Sequence, residues 1–121
     1  MPLPHESLVA WQRADDLFIR IHQLSKTFPA HERYELGSQS RRAAFSVAAN
    51  IVEGFGRYLP KERSQFLGIA LASLAELSYC VHAARRLNYL DEHLEKEIDL
   101  QLRRVAAPLR GLLRADTPKA P

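Results

Sequence analysis

Between residues 7 and 28 the apolar positions Trp11, Ala14, Leu17, Phe18, Ile21, Leu24 and Phe28 recur mostly at steps of three and four, with Gln12, Arg13, Asp16, Arg20, Gln23 and Lys26 on the other side. This period predicts an amphipathic helix with one face in a core. Ser7 is the expected N-cap, and Pro29 is expected to stop the helix at Phe28, because the residue before a proline is steered out of the helical region. A polar joint, AHERYELG, follows.

A second helix is predicted from Ser38, as cap, to Phe55. Its apolar set, Ala43, Ala44, Val47, Ala48, Ala49, Ile51, Val52 and Phe55, spans half the circumference or more at about 100° per residue. One bundle core needs a narrower face. Its polar positions Gln39, Arg42, Ser46, Asn50 and Glu53 form a single thin stripe. Such a helix is expected to touch more than its own bundle, which predicts self-association. Gln39, Ala43, Ser46, Asn50, Glu53 and Phe55 are the candidate positions for oligomer or helix packing.

A third helix is predicted over 60–88, opening on Pro60, which has no amide to leave unpaired in a first turn. Phe66, Ala70, Ser73, Leu77, Cys80, Ala84 and Leu87 alternate steps of four and three, and Leu67, Leu74 and Val81 widen the seam. A fourth helix is predicted over 91–114 with Asp91 as cap and Leu94, Ile98, Leu102, Val105, Leu109 and Leu112 as its core face. Pro108 is expected to kink that helix or loosen its last turns, since it removes one backbone donor. Four amphipathic helices with short joints and no strand-like alternation predict an all-α, up-down-up-down antiparallel four-helix bundle, a single domain over residues 1–116. Residues 117–121 are expected to be a disordered tail.

Composition narrows the class. With 121 residues, 46% hydrophobic and 26% charged, the chain is neither disordered nor long enough for two ordinary domains. No uninterrupted apolar run approaches the roughly 18 residues of a membrane span, and MPLPHES lacks the pattern of a secretory signal, so a cytoplasmic protein without a membrane partner is expected. The lone Cys80 has no disulfide partner in the chain and lies on the third helix's seam, which reads as a small buried hydrophobe. His5, His22, His31, His82 and His93 are scattered without ligand spacing, so no metal is expected. Net charge is +3, which permits nucleic-acid binding without requiring it.

The stretch ANIVEGFGR, residues 49–57, invites comparison with phosphate-binding loops. The order is wrong, because a helix and not a strand precedes Gly54, and no Gly-Lys-Ser/Thr end follows. The expected role of Gly54 and Gly56 is a helix C-terminus closed by a left-handed glycine. Arg57 and Lys61 then fall where one helix ends and the next begins, near amides that could help hold an anion. Glu53, Glu76, Asp15 and Asp16 have no partner at a diagnostic spacing, so no enzyme, cofactor or small-molecule substrate is expected.

The run Ser38-Gln-Ser-Arg-Arg-Ala-Ala-Phe-Ser-Val-Ala-Ala-Asn-Ile-Val-Glu-Gly-Phe-Gly-Arg57, with Val9-Ala-Trp-Gln-Arg13, Phe28-Pro29, Phe66-Leu-Gly-Ile-Ala70 and Ser73-Leu-Ala-Glu-Leu77, resembles the four-helix-bundle proteins encoded by intervening sequences in bacterial large-subunit ribosomal RNA genes. The resemblance runs from residue 8 to about residue 90. Ala48 stands where many relatives carry proline, which implies a straighter second helix. The resemblance implies a homopentamer of bundles around a central channel, and no established activity. It extends in fold to the accessory subunit of diversity-generating retroelements, which works with a reverse transcriptase and nucleic acid.

Five copies of a +3 chain carry +15, so a weak basic stripe becomes a ring. The expected function is a non-enzymatic oligomeric scaffold that binds RNA or a nucleoprotein partner. Arg41, Arg42, Arg57, Lys61 and Arg63, taken as one region where the second helix meets the third, are the candidate contacts, with Arg103, Arg104, Arg110 and Arg114 on the fourth helix. The alternative is a protein–protein adaptor acting through Tyr34, Phe55 and Tyr58.

Overall fold

The four periodic segments form four helices in a computed structural model that describes residues 2–116: α1 (Val9–Ser25), α2 (Leu36–Phe55), α3 (Pro60–Arg86) and α4 (Glu92–Asp116), with one 3₁₀ turn at Ala30–Glu32. No strand occurs among the described residues. Each helix packs on its neighbours in the chain and α4 closes back on α1, while the diagonal pairs make no close backbone approach. The predicted up-down-up-down ring is therefore present. Its centre is filled by Leu17, Ile21, Val47, Ile51, Leu67, Leu77, Ile98, Val105 and Leu109, drawn from the four predicted core faces. The tail expected at 117–121 lies outside the described residues.

Several helix ends differ from expectation, and each difference has a local cause. Leu8, not Ser7, stands at the head of α1 without a side-chain cap. The segment before it is held instead by His5, whose ring packs edge-on against Trp11 at 4.6 Å, and by Gln12 Nε2, which donates to the Glu6 carbonyl at 2.9 Å. At its other end α1 stops at Ser25. The amides of Lys26, Thr27 and Phe28 then reach back three residues, a tightening that carries the chain into Pro29 and leaves Phe28 buried but outside the helix.

The start of α2 precedes the expected Ser38 by two residues. The Leu36 amide donates to Glu32 Oε1 at 3.3 Å, so the capping carboxylate comes from the 3₁₀ turn. Gly37 makes that approach possible, because a Cβ there would meet the Glu32 carbonyl oxygen at 2.9 Å.

The left-handed glycine expected after α2 is absent. Gly56 has φ −85° and ψ −3°, and its amide bonds the carbonyls of Val52 and Glu53. A right-handed turn suffices to lead into Pro60 of α3. Gly54 lies inside the helix and is buried against α3, where a Cβ would meet the Arg63 carbonyl oxygen and Phe66 Cβ, each at 3.3 Å. It is a contact point between two helices. Among the described residues the one with positive φ is Asn88, at 64°. Its amide bonds the Arg85 carbonyl, and the Tyr89 amide bonds that of Ala84 at 2.8 Å, so α3 closes with the paired bonds of a Schellman turn. Leu87, predicted on the seam, is exposed because the helix ends before it.

Asp91 caps α4 as predicted, its Oδ1 accepting the Leu94 amide at 2.8 Å. Pro108 does not interrupt α4, which continues to Asp116. The carbonyl that loses its donor four residues earlier belongs to Arg104, and Arg13 of α1 supplies one, Nη1 to Arg104 O at 2.9 Å.

One further difference concerns α3. This helix is long and apolar enough to cross a membrane by length and composition, although no continuous apolar run marks it, because alanines and small residues dilute its few charges. Only 39% of its most apolar window is buried in the bundle. Ile69, Ala72, Ala75 and Tyr79 form much of the outward remainder.

Candidate nucleic-acid interface

Helix α1 carries Phe18 and His22 four residues apart, and Lys26, the right-handed residue that closes the helix, continues the same step and face. Antiparallel to it, α2 presents Phe45 and Arg41 at the same step, with Arg42 beside them. The two rows face one another. At one end Phe18 and Phe45 meet edge to face at 5.9 Å, and Phe18 meets His22 at 5.9 Å. At the other end the joint after α1 brings Arg33 towards Lys26 and Arg41.

Two hollows lie along this seam. One, about 480 Å³, is lined by His22, Ser25, Lys26, Phe28, Pro29, Ala30, Arg33 and Arg41. The other, about 380 Å³, is lined by Phe18, His22, Arg41, Arg42 and Phe45. They share His22 and Arg41, and neither has a carboxylate among its lining residues. Arg41 is fixed between them: Nη1 donates to Ser25 Oγ at 3.1 Å and Nη2 to the Arg33 carbonyl at 2.9 Å. Ser25 Oγ in turn donates to the His22 carbonyl at 2.9 Å. Those bonds hold the guanidinium without neutralising it.

The predicted basic cluster divides in two. Arg41 and Arg42 lie near the start of α2, and Arg57, Lys61 and Arg63 lie beyond its end, so about 21 Å of helix separates Arg41 from Phe55 at 1.5 Å per residue. The single region expected for all five is not formed, because a continuous helix holds its two ends apart. Arg57 is paired with Glu53 at 3.3 Å and lies over the Phe66 ring at 4.9 Å. Arg63 lies over Phe55 at 4.6 Å and meets Asp116 at 3.6 Å, which ties the ends of α2, α3 and α4 together. Lys61 is exposed. On α4, Arg103 is paired with Asp99 at 2.8 Å. Among the described residues, Lys26, Arg33, Arg41 and Arg42 take part in no ion pair.

The polar stripe of α2 lies beside α3. Ser46 Oγ and Ser73 Oγ are 2.7 Å apart, and Asn50 Nδ2 donates to the Ser46 carbonyl and hydroxyl. Gln39, Arg42, Ala43, Ser46, Ser73 and Glu76 line a hollow of about 440 Å³ there. Ala43 is buried in the bundle, and Phe55 is half-buried beneath Arg63.

Behind the basic seam, Tyr89 locks the joint by donating to Glu32 Oε2 at 2.7 Å. That bond, more than the Leu36 amide and the nearby His31, holds the Glu32 carboxyl below its ordinary value against the opposing effect of burial. The same bond raises Tyr89, which stays a phenol and a donor. Burial pushes the Cys80 thiol up, which keeps it neutral and inert. No group of three or more His, Cys, Asp and Glu side chains suited to a metal occurs among the described residues.

The family described as 23S rRNA-intervening sequence protein matches residues 6–111, most of the chain. The chain belongs to that family. The match reaches through most of α4, beyond the landmarks visible in the first three helices. Among solved structures, an S23 ribosomal protein family member of unknown function from Bacteroides thetaiotaomicron VPI-5482 is similar, with a TM-score of 0.82, 20% identity, and coverage of 88% of this chain and 96% of that one. At that identity the likeness concerns the fold. No curated protein matches.

Within this member of the intervening-sequence family, sequence reasoning found Arg41 and Arg42 but missed Phe18, His22, Lys26, Arg33 and Phe45 as a group. Phe18 read as core and Lys26 as solvated. The available signal was the shared step of four in two antiparallel helices, with cations on both sides of the joint between them.

Proposed function

We propose that this protein is a non-enzymatic, oligomeric helical scaffold that binds RNA, alone or within a nucleoprotein, through its basic surface. The reading rests on the α1–α2 seam, where four cations without ion-pair partners gather around two carboxylate-free hollows. Membership of a family defined by a ribosomal RNA intervening sequence agrees with it but carries less weight. The scaffold works as a homopentamer in the cytoplasm, without cofactor, membrane or small-molecule substrate. The outward face of α3, more than half unburied in its most apolar window, supports burial against a second copy.

Two phosphate contacts per subunit give ten per pentamer, and the log affinity for single-stranded RNA is then expected to fall against log salt with a slope of about −7. A flat salt response, or no binding by the assembled protein, overturns the reading. Recovery of the tagged protein from its native cells, with and without nuclease, identifies what comes along.

Tyr34 and Tyr58 are 83% and 98% exposed, which favours a second reading as a protein–protein adaptor. Partners that stay bound after nuclease treatment select that reading.

A further inference from the structure

We propose that the α1–α2 seam of each subunit is a single-stranded RNA site that takes one nucleotide step lengthwise, with a phosphate at the Lys26–Arg33–Arg41 end and a base against Phe45. The inference rests on the RNA-binding reading above and adds where the strand sits and in what form. Two observations carry it. The seam is graded, aromatic at the Phe18–Phe45 end and cationic at the other, and the two hollows lie side by side with His22 and Arg41 in both linings. A nucleotide has the same order of parts, a flat ring at one end and an anion at the other. Phe45 is 60% exposed although it is a large aromatic, and its contact with Phe18 is edge-on, which leaves the ring's outer surface available for stacking.

A single strand fits this arrangement better than a duplex, whose bases are already stacked and offer no free face to Phe45. Recognition by stacking and phosphate contacts tolerates any base, so weak sequence preference is expected. Arg41 needs no rearrangement to bind. Two of its five donors are already anchored to Ser25 and to the Arg33 carbonyl, and the charge remains unpaired.

The test measures binding of labelled oligouridine and oligoadenosine, and of a duplex RNA of equal length, to the full chain in its native assembly by fluorescence anisotropy. Phe45→Ala and Phe45→Leu remove stacking, and the second keeps apolar bulk as a guard against misfolding. Lys26→Gln with Arg33→Gln removes two cations that make no ion pair among the described residues. The expected result is a loss of about 5- to 150-fold for both Phe45 variants on single strands, with the salt slope unchanged. The double glutamine variant is expected to make the slope shallower by up to about 0.7 per occupied site, the share of the one phosphate held there. Wild-type binding with unaltered affinity in all three variants overturns this site and leaves the RNA-binding reading standing. Preference for duplex, or a change of oligomeric state in Phe45→Leu with RNA affinity intact, also overturns it. Absence of RNA binding by the wild type overturns both.

Discussion

Gly54 and Gly68 occupy neighbouring helices and answer to opposite constraints. A Cβ on Gly54 would press at 3.3 Å on the Arg63 carbonyl and on Phe66 Cβ, neither of which is the free end of a side chain, so α2 and α3 would have to part. Overpacking of this kind costs about 1–3 kcal/mol, more than the roughly 1 kcal/mol that alanine contributes over glycine in a helix. A Cβ on Gly68 meets nothing within 4 Å. Gly54→Ala is therefore expected to lower stability by about 1 kcal/mol and Gly68→Ala to raise it by up to about 1 kcal/mol, seen as opposite shifts in Tm. Glu32 makes a second prediction at this scale. Its carboxyl is held below the ordinary 4.5, chiefly by the Tyr89 hydroxyl. A depressed folded-state value contributes stability that is present above the unfolded value and is lost as pH falls through the folded one. Tyr89→Phe is expected to be less stable than the wild type at about pH 6, with the gap narrowing towards about pH 3, as read by chemical denaturation at each pH. A gap independent of pH would show that the hydroxyl does not act through the ionised Glu32 carboxylate, and no gap at all would leave the ring's packing against Phe28 as what Tyr89 supplies.

At the scale of elements, α4 survives its internal proline because α1 lends it a donor. Arg13 Nη1 bonds the Arg104 carbonyl, the acceptor that Pro108 leaves without its usual amide. The contact is near the surface, so Arg13→Ala is expected to cost about 1 kcal/mol. In a Pro108→Ala background the helix satisfies that carbonyl itself, and the same replacement is expected to cost less than about half as much, a coupling that a double-mutant cycle on denaturation midpoints measures. Equal costs in the two backgrounds would remove the link. The helix ends follow the same logic. Asp91, three residues before the amide it caps, was readable from local sequence. The start of α2 was not, because the Glu32 carboxylate that caps it is positioned by Tyr89 from beyond the end of α3.

At the scale of the molecule, the bundle buries its core faces and leaves α3 with an apolar outer side. If a second copy covers that side, Ala72→Glu puts a charge into the covered face and is expected to convert a five-chain species into one near 13.8 kDa by light scattering. The salt slope for single-stranded RNA is then expected to fall from about −7 to about −1.4, since one subunit retains two contacts. Far-ultraviolet circular dichroism unchanged by the substitution separates loss of assembly from loss of fold. Sequence by itself determined the four helices, their core faces and the ring they close, because burial repeats within each helix and a periodic pattern records it. Residues such as Leu17, Ile51, Leu77 and Ile98 declared their positions in that way. Tertiary structure alone decided which cations stand together. Arg41 and Arg57 looked like one region along the chain, yet a rigid helix separates them, while Lys26 and Arg41, fifteen residues apart and read as unrelated, line one hollow where α1 ends beside the start of α2. Cap, donor and charge cluster each depend on a partner from another element, and hydrophobic periodicity carries no record of which distant residue that will be.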